Sequence, residues 1–427
     1  MNSVTWTMSS KEGPVRSSDI EDGAAFDVAV IGGGFCGLTC ALQAASSGLS
    51  VALFEAGEIG SGASGRTGAL VVPHFPGGIS LSDVRALLGP KKGDALGELV
   101  ATGPQQVFEQ IRKHQINCDA EQNGWVQPAH SPKSLPKVRK VYDDWKAFGV
   151  DVEWLDRDQV AQTLGTACHL GGWRNPQGGI LNPFALCRGL ARTVIAQGAT
   201  VYENAPVTGL ARDQHGISVS IGKMTVRADK VLIATNGYTG PALGGLDRTV
   251  IPVRLWHTFT KPLSPELQEQ VLPGRVCFTD IRRSGGFCRY SADNRIFSGG
   301  AVFALSDPKQ AGIRHSQERL KHFFPQLPTP EIDHYWEGYC ALTTSMLPSL
   351  QVVDKDILAV VGFSTRGVAL AQNIGRLAGD LLAEKMDLDG FPLAVHEPRP
   401  IAWQRLKTFL GAYAFPVYKA MDRWGVT

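Results

Sequence analysis

Three glycines and a glutamate near the start of the chain have the spacing of a dinucleotide-binding site. Gly32, Gly34 and Gly37 follow an apolar stretch and open a helical pattern, and Glu55 ends the next apolar run. Such glycines permit a tight turn, a close approach of backbone to pyrophosphate, and close packing of helix on strand. The helix N-terminus offers N–H groups to phosphates, and the acid accepts hydrogen bonds from a ribose. The pattern predicts a bound adenine dinucleotide, since a glycine-rich turn before an ordinary helix would leave Glu55 unexplained. The residues expected to contact it are Gly32, Gly34, Phe35, Cys36, Gly37, Glu55 and Ala56.

A second glycine-rich segment follows at 60–69, with the sequence GSGASGRTGA. It exposes backbone N–H groups and hydroxyls in a small space, and Arg66 adds a fixed positive charge. These features suit a pyrophosphate or the polar edge of a cofactor ring. The residues of this loop expected to contact the cofactor are Ala63, Ser64, Arg66, Thr67, Gly68 and Ala69.

Composition narrows the function further. The 427 residues carry 42 Lys and Arg against 40 Asp and Glu, so no basic field suited to nucleic acid is expected. The eight cysteines stand singly, without CxxC pairs or zinc-ligand spacing, which favours reduced thiols, a cytoplasmic location and no metal site. We expect residues 1–25 to form a flexible leader without a signal peptide. No run reaches the roughly 18 apolar residues of a membrane span.

Two sets of strands are needed to position these residues. Short apolar runs separated by helical patterns predict an α/β domain, and they lie at 26–31, 51–54, 200–203, 230–235 and 357–361. Aromatic, alternating segments predict an antiparallel sheet in a second domain, and they lie at 254–260, 286–290, 295–302 and 332–339. A helix is expected near 104–114. The segment 403–424 reads as an amphipathic helix, packed on its own domain or, less favoured, on a membrane or partner surface.

Downstream motifs resemble one flavoprotein family. The segment 287–300 is similar to an aromatic-x-Arg, Asp-Asn-Arg, Gly-Gly strand pair, and Trp336, Thr343 and Pro348 match a Trp-x-Gly, Thr, Pro signature. The segment 361–368 resembles a Gly-aromatic-Ser-Gly-His-Gly turn, and the 60–69 loop resembles GxGASGRNGG. Together they resemble the family of D-amino-acid oxidase, glycine oxidase and sarcosine oxidase, nearest to its gamma-glutamylputrescine oxidase branch. The chain departs from that branch at two positions. It has Thr365 where the branch has Gly, and Arg366 where the branch has His.

The resemblance implies a fold and a cofactor. It implies a Rossmann-like, glutathione-reductase-like FAD-binding domain from 26–105, 181–245 and 346–390. An α+β substrate domain would then comprise 106–180 and 246–345, followed by a helical tail at 391–427. FAD is expected to be non-covalent, because the position of the family's flavin-linking cysteine falls on Gly338. The helix after 361–368 would direct its N-terminus at the flavin pyrimidine ring, although a helix merely capped by Ser364 or Thr365 is the alternative. The further expected FAD contacts are Val207, Thr235, Asn236, Gly237, Gly362, Phe363, Ser364, Thr365, Arg366, Gly367 and Val368.

The implied activity is oxidation of a C–N bond in an amine or amino acid, with hydride transfer to flavin N5 and hydrolysis of the imine. A single dinucleotide fingerprint argues that electrons enter from a bound substrate. Reoxidation by O2, giving H2O2, is expected. The alternatives are a dehydrogenase that reduces a quinone or partner protein, a non-catalytic FAD-binding subunit, and a nicotinamide-dependent dehydrogenase, which the 60–69 loop disfavours. The sequence leaves the substrate and the oligomeric state open.

Five residues are candidates for the catalytic site. Arg289 matches a substrate-binding arginine of the family and would bind a carboxylate, unless it forms an ordinary strand salt bridge. Arg366 would grip a carboxylate through a two-bond fork or pair with an internal acid. A substrate with two carboxylates is expected if both arginines face the flavin. His257 and His74 would tune the protonation of the amine, although structural roles are favoured. Trp336 would wall the pocket or belong to the core.

Overall fold

The computed structural model describes residues 4–302 and 307–424. The α-helices in these ranges are α1 (Thr5–Met8), α2 (Phe35–Ser46), α3 (Ala63–Arg66), α4 (Leu81–Leu88), α5 (Pro90–Lys113), α6 (Leu135–Ala147), α7 (Arg157–Leu164), α8 (Pro183–Ala196), α9 (Pro265–Gln268), α10 (Pro308–Phe323), α11 (Gly367–Leu382) and α12 (Gln404–Arg423). The strands are β1 (Ala25–Ile31), β2 (Val51–Phe54), β3 (Leu70–Val71), β4 (Trp125–Pro128), β5 (Glu153–Leu155), β6 (Gly172–Asn175), β7 (Gly179–Ile180), β8 (Thr200–Tyr202), β9 (Val207–Asp213), β10 (Gly216–Ile221), β11 (Met224–Ile233), β12 (Ile251–Thr260), β13 (Cys277–Thr279), β14 (Phe287–Tyr290), β15 (Ile296–Ala301), β16 (Ile332–Leu342), β17 (Ser349–Asp354), β18 (Ile357–Val361) and β19 (Ala394–His396).

The first sheet is the expected α/β element. Its strand order is β19-β17-β18-β11-β1-β2-β8, and β9 and β10 extend it from β11. The central pairs β1–β2, β1–β11, β2–β8 and β11–β18 are parallel. Every residue of β2 and β18 is buried, as expected when helices cover both faces of a parallel sheet. All five predicted runs lie in this sheet, which confirms the α/β fold.

The second sheet carries the four aromatic segments. Its order is β16-β12-β15-β14-β13-β4-β6-β5, and its pairs are antiparallel except for β13 with β4. Large side chains including Trp125, Trp173, Trp256 and Phe278 are fully buried around it. The alternation in the sequence is not matched by alternating burial, because residues 256–260 of β12 and 296–300 of β15 are buried on both faces of the sheet.

The expectation of a flexible leader is wrong. Val4 and Trp6 are buried in the main hydrophobic core, and the Trp6 Nε1 donates a hydrogen bond to the Thr67 carbonyl at 2.9 Å. The Trp6 ring makes an edge contact with Trp336 at 6.0 Å between centroids. A single large aromatic among polar residues gives no periodic signal, yet burying it removes a large apolar area from water.

Two expected boundaries also differ. The boundary at residue 105 falls inside α5, a continuous helix of 24 residues that includes Pro104. The predicted helix near 104–114 is therefore only the last part of α5, although proline is favoured in the first turn of a helix and costly further inside. The tail from 391 begins as part of the first sheet, since Phe391 and Leu393 are buried and β19 pairs in parallel with β17. The expected helix in the tail is α12.

Candidate active site

One cavity of about 1220 Å³ is lined by residues from both sheets. Its volume exceeds the usual range for a single small ligand, which leaves room for a dinucleotide and a substrate. The expected cofactor residues that line it are Gly32, Gly34, Phe35, Cys36, Glu55, Ala56, Ala63, Ser64, Arg66, Thr67, Gly68, Ala69, Val207, Thr235, Asn236, Phe363, Ser364, Thr365, Arg366, Gly367 and Val368. Gly37, Gly237 and Gly362 do not line it. Contact of these residues with FAD itself stays a prediction.

The turn between β1 and α2 has no room for side chains. Gly32 has φ of +110°, and a Cβ there would lie 2.9 Å from the Ala234 carbonyl oxygen. A Cβ on Gly37 would lie 1.9 Å from the Gly32 carbonyl oxygen, so this glycine serves helix packing rather than ligand contact. The carboxylate of Glu55 accepts hydrogen bonds from the backbone N–H of Gly33 at 2.7 Å and of Gly57 at 3.0 Å. These bonds fix the acid at the turn, and the empty space above the glycines fits a dinucleotide.

The 60–69 loop joins the two sheets. Ser64 Oγ accepts a hydrogen bond from the backbone N–H of Phe35 at 3.0 Å, which holds the loop against the first turn of α2. Arg66 donates from Nε to the Ser61 carbonyl at 2.7 Å and from Nη1 to the Glu337 carbonyl at 3.0 Å. The Arg66 charge thus lies at the cavity while its guanidinium ties the loop to β16.

The turn between β18 and α11 presents an open helix N-terminus to the cavity. Gly362 has φ of +89°, and its N–H donates to Asn236 Oδ1 at 2.8 Å. No side chain caps α11, because Ser364 Oγ instead donates to the Gly362 carbonyl at 3.1 Å. The alternative of a helix merely capped by Ser364 or Thr365 is therefore wrong. The uncapped N–H groups and the helix dipole favour negative charge in this part of the cavity.

Arg366 faces the cavity without an acidic partner. Its Nη2 donates to Thr279 Oγ1 at 3.3 Å, and no ion pair within residues 4–302 and 307–424 involves it. Its buried Nε has no hydrogen-bond partner in the described part of the chain. Burial lowers the pKa of Arg366 to about 10, so the guanidinium stays charged at neutral pH. Pairing with an internal acid is thus excluded for the described residues.

His257 is the other catalytic candidate that lines the cavity. Burial lowers its pKa to about 4, against an opposing hydrogen bond to the Arg66 backbone. Its Nδ1 has no partner among the residues described. The ring lies 5.1 Å from the Phe297 ring and 5.6 Å from the Trp336 ring, between centroids. His257 is therefore a neutral imidazole in an aromatic wall at neutral pH.

Arg289 is not placed to bind substrate, which corrects the expectation. It is 2% exposed, it does not line the cavity, and its Nε donates to the Tyr290 carbonyl at 2.8 Å. Its Nη1 donates to the carbonyls of Gly68, Ala69 and Leu181 at 3.2, 2.8 and 2.8 Å. The guanidinium also lies 4.9 Å from the Trp6 ring centroid. Its donors hold the 60–69 loop and the Leu181 carbonyl to the second sheet, so a dicarboxylate site formed with Arg366 is not supported.

His74 and Trp336 are also away from the cavity surface. The Nδ1 of His74 accepts a hydrogen bond from Trp145 Nε1 at 3.1 Å, and burial followed by the Arg366 charge lowers its pKa to about 3. Trp336 is 1% exposed, and its Nε1 donates to the Arg66 carbonyl at 2.9 Å. Both residues support the cavity wall from behind. The geometry therefore favours a structural role for His74 and a core position for Trp336.

The sequence analysis missed two parts of the cavity. The end of β13 contributes Thr279, and the loop that follows contributes Arg282 and Arg283. Helix α12 contributes residues that include Lys407 and Tyr418. Basic residues beside a Gly-Gly pair at 282–286 were the available signal for the loop. The helix reaches the cavity because Asp422 accepts hydrogen bonds from the Arg283 N–H at 3.2 Å and the Ser284 N–H at 2.9 Å. Nothing in a terminal amphipathic pattern indicates which face meets a cavity.

No grouping of three or more His, Cys, Asp or Glu side chains suited to a metal ion occurs in the described part of the chain. Among the helices of the described residues, none combines the length and apolar character needed to cross a bilayer.

Comparison with known proteins agrees with this geometry. The family model described as DAO, FAD dependent oxidoreductase, matches residues 27–381. Gamma-glutamylputrescine oxidoreductase of Escherichia coli K12 is 30% identical over 404 residues, covering 94% of this chain and 93% of the relative. Glycine oxidase of Geobacillus kaustophilus is 24% identical over 388 residues, covering 87% of this chain and 97% of the relative.

Solved structures share the fold. The glycine oxidase structure from Geobacillus kaustophilus superposes with a TM-score of 0.71 at 22% identity, covering 89% of this chain and all of that one. L-amino acid deaminase from Proteus vulgaris gives a TM-score of 0.73 at 18% identity, covering 90% and 99%. The match of the family model over most of the chain, with the glycine turn and Glu55 in place, settles the family. The chain belongs to the DAO family of FAD-dependent oxidoreductases, and FAD is its cofactor.

Proposed function

We propose that this protein oxidises the C–N bond of an amine that carries a carboxylate, with reoxidation by O2 giving H2O2. Bound FAD would accept the two electrons of the oxidation as a hydride, which is the chemistry that flavin cofactors supply. The observation that carries the proposal is Arg366, a charged side chain at the cavity whose Nε lacks a partner and which has no acid within ion-pair distance in the described chain. A carboxylate would complete its hydrogen bonds.

Arg366 would act by orienting the substrate. A guanidinium and a carboxylate can form two parallel hydrogen bonds, which fix direction as well as distance. Thr279 holds one end of the guanidinium, so its plane is already set before substrate arrives. The positively charged side chains of Lys137, Arg283 and Lys407 also line the cavity, and they would attract an anionic substrate.

The remaining wall favours an uncharged amine. Leu255, Phe287 and Phe297 line the cavity together with the neutral imidazole of His257. An apolar wall disfavours a protonated amine, because desolvation penalises the charged form. An amine must be deprotonated before its neighbouring carbon can lose hydride, so this wall assists without a dedicated base. Relatives described as glycine oxidase and gamma-glutamylputrescine oxidoreductase fit this substrate class.

A dehydrogenase that reduces a membrane quinone or a partner protein is the second candidate. One face of α12 lines the cavity, and the other exposes large apolar side chains: Leu406, Phe409, Leu410, Tyr413 and Val417. Trp403 and Trp424 are exposed at its two ends. Such a face suits the interface of a bilayer, where a membrane quinone would be accessible.

A cytoplasmic location is also part of the proposal, because all eight cysteines are free.

The test follows the flavin absorbance of the purified holoprotein without oxygen. We expect bleaching by amines that carry a carboxylate, and little bleaching by matched amines that lack it. Equal bleaching by both members of each pair would refute the proposal that the substrate is recognised through a carboxylate. Recovery of colour in air supports the oxidase, whereas recovery only with a soluble quinone supports the dehydrogenase. No bleaching by any amine would point to a non-catalytic FAD-binding subunit.

Non-covalent attachment of FAD is part of the proposal. Cys340 lines the cavity, but burial raises the pKa of its thiol to about 12, which disfavours the thiolate. Acid precipitation should leave the yellow colour in the supernatant. Colour in the pellet would show a covalent bond.

A further inference from the structure

A cysteine, a histidine and an aspartate form a chain of contacts at the β13–β14 loop, beside the cavity, which Asp280 also lines. Cys168 Sγ lies 3.5 Å from Nδ1 and 3.8 Å from Nε2 of His169, so the sulfur packs against the imidazole ring. His169 Nε2 lies 3.5 Å from Asp280 Oδ2. The side chains of His169 and Asp280 are completely buried, whereas Cys168 is half-buried. We propose that Cys168 is a reactive thiolate that soft electrophiles modify selectively.

The neighbours of the sulfur favour its ionised form. Thr166 Oγ1 donates a hydrogen bond to Cys168 Sγ at 3.3 Å, so the sulfur acts as an acceptor. The edge of the Phe278 ring packs on the His169 ring at 5.5 Å between centroids, which fixes the imidazole beside the sulfur. A thiolate next to an imidazolium that a carboxylate orients is the arrangement of activated cysteines.

The electrostatics agree with this geometry. Burial opposes a charge on His169, but hydrogen bonds to Asp280 and Cys168 raise its pKa. Burial likewise opposes the thiolate, but the hydrogen bond and charge of His169, with smaller contributions from Thr166 and Arg282, lower the pKa of Cys168. Each group therefore shifts the pKa of the other toward the charged form, the thiolate for Cys168 and the imidazolium for His169.

The other charged groups around the pair come from four parts of the fold. Arg282 forms an ion pair with Asp280 from the same loop, and burial lowers the pKa values of His130 and His322, which keeps both neutral. Arg319 of α10 adds positive charge, and Asp422 of α12 adds negative charge bonded to Ser284. Arg282 and Arg319 carry two positive charges near one buried carboxylate, that of Asp280. The local electrostatic field therefore favours a further negative charge on the Cys168 sulfur.

The remaining cysteines provide the contrast. Burial raises the pKa of each of the other seven, which are Cys36, Cys40, Cys118, Cys187, Cys277, Cys288 and Cys340. Cys340 is half-buried like Cys168 but has no histidine beside it in the described chain. Cys340 is therefore a control for the pH midpoint within the same molecule, whereas its access to the reagent also depends on FAD, because it lines the cavity.

The reaction with iodoacetamide is a simple displacement. The sulfur lone pair of the Cys168 thiolate forms a bond to the methylene carbon, iodide leaves with the bonding pair, and His169 keeps its proton. No oxidant or reductant takes part. The product is a thioether, and its mass is read directly on the peptide that contains residue 168.

The experiment measures alkylation of each cysteine in the FAD-bound protein from pH 5.5 to 9.5 by peptide mass mapping. We expect Cys168 to react at least ~10-fold faster than Cys340 at pH 7, with a rate midpoint below the ordinary thiol pKa of about 8.5. The midpoint is the decisive quantity, because intrinsic nucleophilicity falls as the pKa falls. A midpoint at or above 8.5, or equal rates for Cys168 and Cys340, would overturn the proposal.

Two variants separate reactivity from exposure. His169→Gln keeps a polar side chain without the imidazolium, so the Cys168 midpoint should rise to the ordinary value or above. Cys340→Ser should leave the Cys168 rate unchanged. If His169→Gln does not fold, the wild-type pH profile and the ratio of the two cysteines still decide the question. An unchanged midpoint in a folded His169→Gln protein would show that the histidine does not activate the sulfur.

Discussion

Replacement of Arg289 and of Arg366 by methionine should change different properties of the protein. Arg289→Met should lower the stability, and Arg366→Met should lower the activity toward amines that carry a carboxylate. Arg289 donates to four backbone carbonyls, those of Gly68, Ala69, Leu181 and Tyr290. Methionine is long enough to fill much of the space but donates nothing. Arg366 makes one long hydrogen bond inside the protein, and its remaining donors are available to substrate.

The size of the Arg289 effect follows from the bonds. A buried carbonyl left without a partner costs about 1–3 kcal/mol. The Ala69 carbonyl keeps a second donor, the Leu181 N–H at 3.3 Å, so the other three carbonyls lose this partner. Removing a buried charge that has no carboxylate partner offsets part of this cost. We expect a net loss of about 3 kcal/mol, which corresponds to a fall in Tm of about 3–4 °C for a chain of this length.

Arg366→Met should leave the Tm within about 1 °C of wild type. Its effect should appear in catalysis, because hydrogen bonds to a charged partner contribute about 1.5–3 kcal/mol. We expect kcat/KM for an amine with a carboxylate to fall roughly 100-fold, while an amine without it changes little. Arg289→Met should keep the wild-type ratio between the two substrates.

The assay combines thermal unfolding, followed by tryptophan and flavin fluorescence, with kinetics on one matched pair of amines. The reasoning is refuted if Arg289→Met unfolds like wild type and loses the preference for the carboxylate. It is equally refuted if Arg366→Met is strongly destabilised and retains that preference. Either result would return Arg289 to the substrate site.

Three further predictions concern strain, protonation and the cofactor turn. Thr365 is a β-branched residue at φ of 69°, so Thr365→Gly should relieve about 1–2 kcal/mol of strain and raise the Tm, and a lower Tm would contradict this. Burial lowers the pKa values of His74 and His257 to about 3 and 4, below the unfolded value near 6.5. Unfolding therefore takes up protons below pH 6.5. Protonation of each histidine in the unfolded state should lower the free energy of unfolding by about 2 kcal/mol between pH 7 and 5. Urea unfolding at several pH values measures this, and a free energy of unfolding that does not change with pH would contradict the burial. Gly37→Ala would place a Cβ against the turn carbonyl and should abolish FAD retention, whereas Gly13→Ala, which has open space around it, should retain FAD on gel filtration.

The nucleotide sheet could be predicted because its signals are local. Central parallel strands such as Val51–Phe54 are continuous apolar runs, and the glycine turn needs only short-range spacing. Glu55 was found from its offset alone, and the structure places its carboxylate on the turn. The turn before α11 was predicted from its resemblance to the family's turn, although the positive φ of its two non-glycine residues, Ser364 and Thr365, was not expected.

The substrate side could not be predicted as well, because it depends on contacts between distant segments. A strand pattern gives the face of Arg289 but not the carbonyls across it, which come from residues more than 100 positions away. The burial of Trp6 is set by Phe259 and Trp336 of the second sheet. The inward face of α12 depends on where the β13–β14 loop lies, which the helix sequence does not encode.

The pairing of β1 has a consequence for synthesis of the protein. One edge of β1 pairs with β2 within a few dozen residues, but the other edge pairs with β11, where Ala25 is opposite Arg227. A ribosome adds about 5–20 residues per second, so that edge waits on the order of 10–40 s for its partner. The cofactor cavity also needs the turn before α11, so FAD can be enclosed only after most of the chain has emerged. Capture of the cofactor is therefore a late step, and the apolar first strand is exposed to chaperones or aggregation until then.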